Sequence, residues 1–277
     1  MKNSTSNLKE ILLKDHKLNV EAFEESFLVK TIENRINESG KENIVSYINF
    51  VEKDKLEKQK LYDSLHVSYS EFFRNTIAFA YLEKIILPYI NKKKQQEVQK
   101  ELRIWSAGCA HGEEAISMAI LLDEMSNKNE SKIDYLIFAT DIKYLDFNKL
   151  RSLDFNSASV SKVTQQRIKE YFISSNQGYT VIPHLYKYIF FSVFDLLSKE
   201  EASPAASIYG CFDVIFCSNL LFYYKTAERK KILEKISYNL TPKGYVITGD
   251  TEREIFIENG FKEVYLHSCI FQKKEQP

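Results

Sequence analysis

The sequence predicts a doubly wound, mostly parallel α/β sheet carrying a small β insert and preceded by a small helical domain. Three patterns carry that expectation. After Glu101, short apolar runs alternate with helical stretches. The first of these runs passes through two glycines into a helix. Before Ser64, apolar residues recur at helical spacing with charges between them.

In chain order, Phe23, Phe27, Leu28, Ile32 and Ile36, then Ile44, Tyr47, Ile48 and Val51, mark amphipathic helices. A further helical stretch is expected from Ser70 to about Ile90, with the polar run Asn91–Glu97 as a solvated connector. Strands are expected at Leu102–Ala107, Tyr135–Ala139, Tyr188–Phe191, Asp213–Cys217 and Tyr245–Thr248, with a final segment at Glu263–Phe271. The helix after the first strand carries Ala115, Ile116, Ala119, Ile120 and Leu122, and Thr226 is placed to cap Ala227–Asn239. Thr241-Pro-Lys-Gly244 signals a turn into the fifth strand. The insert runs from roughly Ser152 to His184, or 152–192 with the strand that follows, and its end is expected to form a hairpin of Tyr179–Ile182 with Leu185–Phe191. The expected organisation is therefore a helical domain at 1–66, a connecting helix and linker at 67–100, and the sheet domain at 101–277.

Of the 277 residues 44% are hydrophobic, enough for a large core, and 38 basic side chains balance 38 acidic ones. That balance offers no global field for nucleic acid or anionic lipid. Cys109, Cys211, Cys217 and Cys269 form no CxxC pair, which suits a reducing compartment and no metal site. No run approaches 18 apolar residues, and the first residues lack a signal-peptide core, so a cytoplasmic protein without membrane insertion is expected.

In open α/β sheets a ligand binds at the carboxyl ends of the strands. The first such end is Trp105-Ser-Ala-Gly108-Cys-Ala-His-Gly112-Glu-Glu114, where glycines admit a tight turn and a helix start offers unpaired N–H groups. Strand two ends at Thr140-Asp141, strand three leads into Phe194-Asp195-Leu196, and strand four ends at Cys217-Ser218-Asn219. Singly, each polar residue could cap a helix; together on one rim they predict an adenosyl ligand, Asp141 accepting from a ribose diol and Asp195 from the adenine amino group. A nicotinamide cofactor is disfavoured because G-x-G-x-x-G is absent and Asp141 lies well beyond the usual 20 or so residues from the glycines. His111 is expected at a helix start rather than as a base or ligand.

These motifs resemble, in order, the CheR-type chemotaxis receptor methyltransferases, whose members esterify receptor glutamates with S-adenosylmethionine. The similar stretches are Phe72-Phe-Arg74, Ile104–Glu114, Ala139–Ile142, Gln165–Phe172, Phe191–Leu197, Phe212–Asn219 with Tyr223, and Leu240-Thr-Pro-Lys-Gly244. The resemblance implies a Rossmann-like class I methyltransferase fold and S-adenosylmethionine as cofactor. Ser68, Ser70, Arg74, Gly108, Glu114, Asp141, Asp195, Leu196, Ser218 and Asn219 would line the cofactor site, with Arg74 and Tyr223 flanking the methyl group. The implied partner is a protein substrate, the cytoplasmic part of a chemoreceptor. A related methyltransferase with another acceptor, or a non-catalytic cofactor sensor, is the alternative.

The chain departs from the family pattern at several positions. Ser68 and Ser70 replace Asn and Thr, Ser218 replaces Arg, Asp195 replaces Asn, and Gly249-Asp-Thr-Glu252 replaces Gly-His-Ser-Glu. At Ser218 a fixed bidentate donor has become one hydroxyl. The N-terminal helix that in the family is arginine-rich and faces the receptor corresponds here to Glu21–Gly40, with five acids (Glu21, Glu24, Glu25, Glu33, Glu38) against Lys30 and Arg35. Either those two bases alone face the substrate, or the partner is less acidic than a usual receptor.

Overall fold

The computed structural model describes residues 8, 10–13, 18–66, 69–97, 100–128, 133–143, 150–207 and 210–274. Its chain divides into two compact units, Met1–Ser68 with Phe222–Arg229, and Tyr69–Leu221 with Lys230–Pro277.

The first unit is helical. Helix α1 (Glu25–Glu38) turns Leu28, Thr31, Ile32 and Arg35 inward, the spacing of a single helical face. Helix α2 (Ile44–Lys53) starts at a capping box, in which the Asn43 side chain accepts from Ser46 N. The side chain of Asp54 accepts from Glu57 N and so begins α3 (Lys55–Ser64). Arg35 does not face outward. It is 8% exposed, and its Nε and Nη2 donate to Glu57 Oε1 at 3.0 and 2.6 Å, while Nη1 pairs with Glu38. Tyr47 Oη donates to the same Glu57 oxygen at 3.0 Å. Burial and that carboxylate push the Tyr47 hydroxyl well above its ordinary value. Of the two alternatives for this helix, the one in which Lys30 and Arg35 together face a partner is thereby corrected. On α1 the exposed charges are Glu25, Lys30, Glu33 and Glu38.

The second unit opens with a turn, Phe72-Phe73-Arg74, rather than with the helix expected from Ser70. Asn75 caps α4 (Thr76–Tyr81) by accepting from Ala78 N, and the helix runs through a π turn (Leu82–Ile86) into α5 (Leu87–Lys94). Pro88 cannot donate back to the preceding turn, which accounts for a wide turn at that point. The expected connector therefore begins four residues later than the sequence suggested.

The main sheet has the order β5-β2-β1-β6-β7-β9-β8. Strands β1 (Leu102–Ala107), β2 (Tyr135–Asp141), β5 (Ile189–Val193), β6 (Phe212–Phe216) and β7 (Leu240–Ile247) pair in parallel, and β9 (Ile270–Lys273) runs against both β7 and β8 (Phe261–Glu263). All six residues of β1 are buried, as a strand covered on both faces must be. Strand order reverses between β1 and β6, so the switch point lies at their carboxyl ends. Helix α6 (Glu113–Lys128) follows β1, and α8 (Thr226–Asn239) follows the turn after β6.

Four expectations are corrected here. The insert hairpin pairs β3 (Phe172–Ser174), which follows α7 (Gln165–Tyr171), with β4 (Tyr179–Val181); residues 183–188 form a 3-10 turn leading into β5. Thr241-Pro-Lys-Gly244 lies inside β7, where the register against β6 shifts between Phe212 and Val214 and Lys243 takes φ 64°. This is a bulge, which accommodates Pro242 without a ladder bond. The final segment is two strands, not one, with α9 (Arg253–Glu258) before them. Thr226 is the first helical residue instead of the cap.

Glu57→Ala would leave the buried Arg35 guanidinium beside Glu38 and Tyr47 without its buried carboxylate. We expect the helical unit to lose about 3–5 kcal/mol, read from denaturant unfolding.

Candidate functional site

At the carboxyl end of β1 the chain leaves the sheet through Gly108, whose φ of +78° is a conformation side chains disfavour. Gly108 N and Cys109 N both donate to Thr140 O, at 2.8 and 2.9 Å, and Ala110 N donates to Asp141 Oδ2 at 3.1 Å. The first loop is thus tied to the end of β2. Lys143 N donates to the other oxygen, Asp141 Oδ1, at 3.1 Å. A carboxylate has about four acceptor positions, so Asp141 retains two for a pair of hydroxyls.

Glu114, in the first turn of α6, is half-buried and its Oε1 accepts from Ser106 Oγ at 2.7 Å. Burial pushes its carboxyl up to about 7, against the opposing effects of Ser106, Ser218 and the Arg74 charge. Glu113, next to it, is 2% exposed, is also pushed up to about 7 by burial, and keeps Oε2 without a hydrogen-bond partner. His111 sits in the turn before α6, and burial lowers its pKa. Arg74 is half-buried in the turn before α4, its Nη1 3.4 Å from Tyr69 O and its guanidinium 5.6 Å from the Tyr69 ring. Phe73, at φ 54°, donates its N–H to Ser117 Oγ of α6 at 3.0 Å, which anchors that turn beside Glu114's helix.

Beyond β5, Phe194 N donates to Asp141 O at 2.9 Å, and Asp195 Oδ1 accepts from Leu197 N at 2.8 Å, an Asx turn that leads past the buried Leu196. Beyond β6, Ser218 Oγ donates to Ile247 O at 3.3 Å, and Asn219 stands at φ 58°.

The sheet unit therefore carries Gly108, Asp141, Asp195, Leu196, Ser218 and Asn219 at or just beyond the carboxyl ends of its strands, with Glu114 in the first turn of α6 and Arg74 in the turn before α4. Ser70 is half-buried just before the Phe72-Phe73-Arg74 turn. Ser68 lies outside the described residues. Tyr223 belongs to the helical unit, where its ring packs 4.7 Å from Phe27 and its carbonyl accepts from Glu24 N at 2.8 Å. Its place at the methyl group is carried by the resemblance. Among the described residues no cluster of His, Cys, Asp and Glu could hold a metal, and no helix is long and apolar enough to cross a membrane.

Residues 68–268 match the family model described as CheR methyltransferase, SAM binding domain. The chain belongs to the CheR methyltransferase family. This CheR-family chain is 27% identical to a chemotaxis protein methyltransferase of Borreliella burgdorferi over 91% of this chain and 88% of that one. A chemotaxis protein methyltransferase of Pseudomonas putida is 30% identical over 70% and 69%, and one of Escherichia coli 26% identical over 91% and 82%. The cofactor of this methyltransferase is S-adenosylmethionine, and the acids of the rim fit it. A half-buried carboxyl at Glu114 suits an ammonium, and the acceptors remaining on Asp141 suit a diol.

The motifs did not single out Ser106, which donates to Glu114, Ser117, which accepts from Phe73 N, or Glu113 beside Glu114; all three read as core positions of a strand and a helix. The doubled acid Glu113-Glu114 was visible, but nothing in one sequence says that Glu113 is buried and Glu114 half-buried.

A carboxyl whose folded pKa exceeds its unfolded value binds more protons when folded, so stability falls as pH rises from about 4.5 through about 7. Without cofactor, Glu114→Gln is expected to raise stability at pH 8 by about 1–3 kcal/mol while changing it little at pH 5. Denaturant titrations at both values check it; a difference independent of pH would contradict the burial argument.

Proposed function

We propose that this methyltransferase esterifies glutamate side-chain carboxylates of a chemoreceptor-like protein. The observation that carries the reading is the charge layout of the rim: Asp141 ends β2, Asp195 follows β5 and Glu114 starts α6, and the Arg74 charge reaches Glu114. S-adenosylmethionine supplies a methyl group on a sulfonium. Glu114 would take the methionine ammonium, Asp141 the ribose hydroxyls and Asp195 the adenine amino group, with Leu196 against the base and Gly108, Ser70, Ser218 and Asn219 along the rest. Arg74 would hold the incoming carboxylate. A glutamate with a reference pKa of about 4.3 is already ionised at neutral pH, so its attack needs no base. Orientation and desolvation supply the rate.

Ser218 in place of the family's arginine favours one second reading, a cofactor sensor without turnover. Incubation with labelled cofactor and receptor cytoplasmic domains separates the two: a glutamyl methyl ester releases methanol in mild alkali, and a sensor yields none.

Asp141→Ala is expected to weaken S-adenosylhomocysteine binding by about 1–3 kcal/mol in calorimetric titration, with Asp141→Asn, which keeps an acceptor for Ala110 N, in between. Unchanged affinity would place the acid away from the ribose. Arg74→Lys is expected to lower the transfer rate more than cofactor affinity, since an ammonium cannot reproduce the guanidinium fork. Equal losses would assign Arg74 to the cofactor instead.

A further inference from the structure

We infer that Glu252 is a positioning residue of the cofactor site, the group that holds the turn after β6 in the one form that puts Asn219 and Leu220 on the rim. The inference rests on the cofactor site proposed above. Glu252 is 0% exposed, in the short 3-10 turn Asp250–Glu252 after β7. Its two oxygens collect five donors. Oε1 accepts from Leu220 N at 2.6 Å and Leu221 N at 2.5 Å; Oε2 accepts from Asn219 N at 2.6 Å, Thr248 Oγ1 at 3.0 Å and Gly249 N at 3.3 Å.

Three successive backbone N–H groups aimed at one carboxylate is not a geometry a turn adopts unaided, because their dipoles point the same way and need an anion to converge on. The anion also offsets the backbone strain at Asn219. Its φ of 58° is left-handed, a conformation that asparagine tolerates better than most residues but that still disfavours the turn. Burial raises the Glu252 carboxyl while the converging N–H groups lower it.

Two close approaches transmit this turn to the site. At Gly249 a Cβ would stand 2.5 Å from Asn219 Nδ2 and 3.2 Å from Asn219 N, so the asparagine lies directly on the glycine. At Gly108 a Cβ would stand 3.4 Å from Leu220 Cδ1, so Leu220 rests on the first residue of the loop after β1. The donors to Glu252 lie on the turn after β6 and at the end of β7, and Glu252 reaches the rim by way of them. It acts through Asn219 and Leu220.

Glu252→Gln keeps the shape but replaces one oxygen by an NH2 that faces backbone donors. The expected result is about tenfold weaker S-adenosylhomocysteine binding by calorimetry. The comparison variant is Glu263→Gln in the β8–β9 hairpin, where the carboxylate pairs with Arg253 at 2.6 Å. It is expected to lower the melting temperature while leaving affinity within about twofold. Wild-type affinity in Glu252→Gln would overturn the inference, as would equal affinity losses in the two variants at equal melting temperature. If Glu252→Gln fails to fold, Gly249→Ala presses on Asn219 with the carboxylate intact, and an affinity unchanged from wild type would sink the idea. Absence of binding by the wild-type chain itself would remove the cofactor-site reading and this one with it, whereas wild-type binding with unaffected variants removes this one alone.

Discussion

Burying a parallel sheet on both faces is the constraint from which the rest of this molecule follows. Every residue of β1 and of β6 is buried, so polar side chains cannot be solvated along these strands. Polar chemistry is displaced to the strand ends, and at the carboxyl ends the chain must turn sharply into helices whose first N–H groups lack partners. The N–H groups of the loop leading into α6 are satisfied here by the end of the neighbouring strand: Gly108 and Cys109 by Thr140 O, Ala110 by Asp141. The hydrogen bonds that complete the fold are also the ones that orient the acids. Stability of the rim and readiness of the site are therefore the same set of contacts.

Within this framework the buried acids divide by how fully they are satisfied. Asp213 accepts from Arg103 N at 3.0 Å and pairs with Lys94 at 3.0 Å, and Glu57 holds Arg35 and Tyr47; both are closed arrangements that order their surroundings. Glu252 is closed as well, but around a turn. Glu113 and Glu114 are different: burial raises both carboxyls to about 7, and one Glu113 oxygen has no partner. An incompletely satisfied carboxyl in a buried place costs stability unless a cation arrives. That cost is tolerable where a ligand relieves it.

How much of this was legible depends on how local each signal is. The bounds of β1 and the mostly parallel character of the sheet were readable because two-sided burial writes continuous apolar runs, and the strand ends at Gly108 and Asp141 because turns there need particular residue types. The β3–β4 hairpin was assigned the wrong partner, since three-residue strands carry no periodicity and Phe172–Ser174 reads as the end of a helix. The start of α4 was misplaced because Asn75, a short-range cap, outweighed the apolar pattern upstream of it. Arg35 could not be read as buried. Its partner Glu57 lies two helices away, and a basic residue on an amphipathic helix is exposed more often than not. Glu252 shows the same limit: its five donors come from segments more than 30 residues apart as well as from its own turn.

On the proposed site, the serine at 218 changes the electrostatic balance rather than a contact alone. An arginine there would add a second cation beside Arg74 near the carboxyls of Glu114, Asp141 and Asp195. With Ser218, whose hydroxyl is spent partly on Ile247 O, the rim is more anionic. A sulfonium cofactor carries one more positive charge than its thioether product, so a more anionic rim favours the cofactor over the product in Coulomb terms. The same shift works against an incoming carboxylate, which then depends on Arg74. On the proposed site, serine at 218 would thus trade acceptor capture for discrimination between cofactor and spent product, and would leave the acceptor to the single guanidinium of the Phe72-Phe73-Arg74 turn.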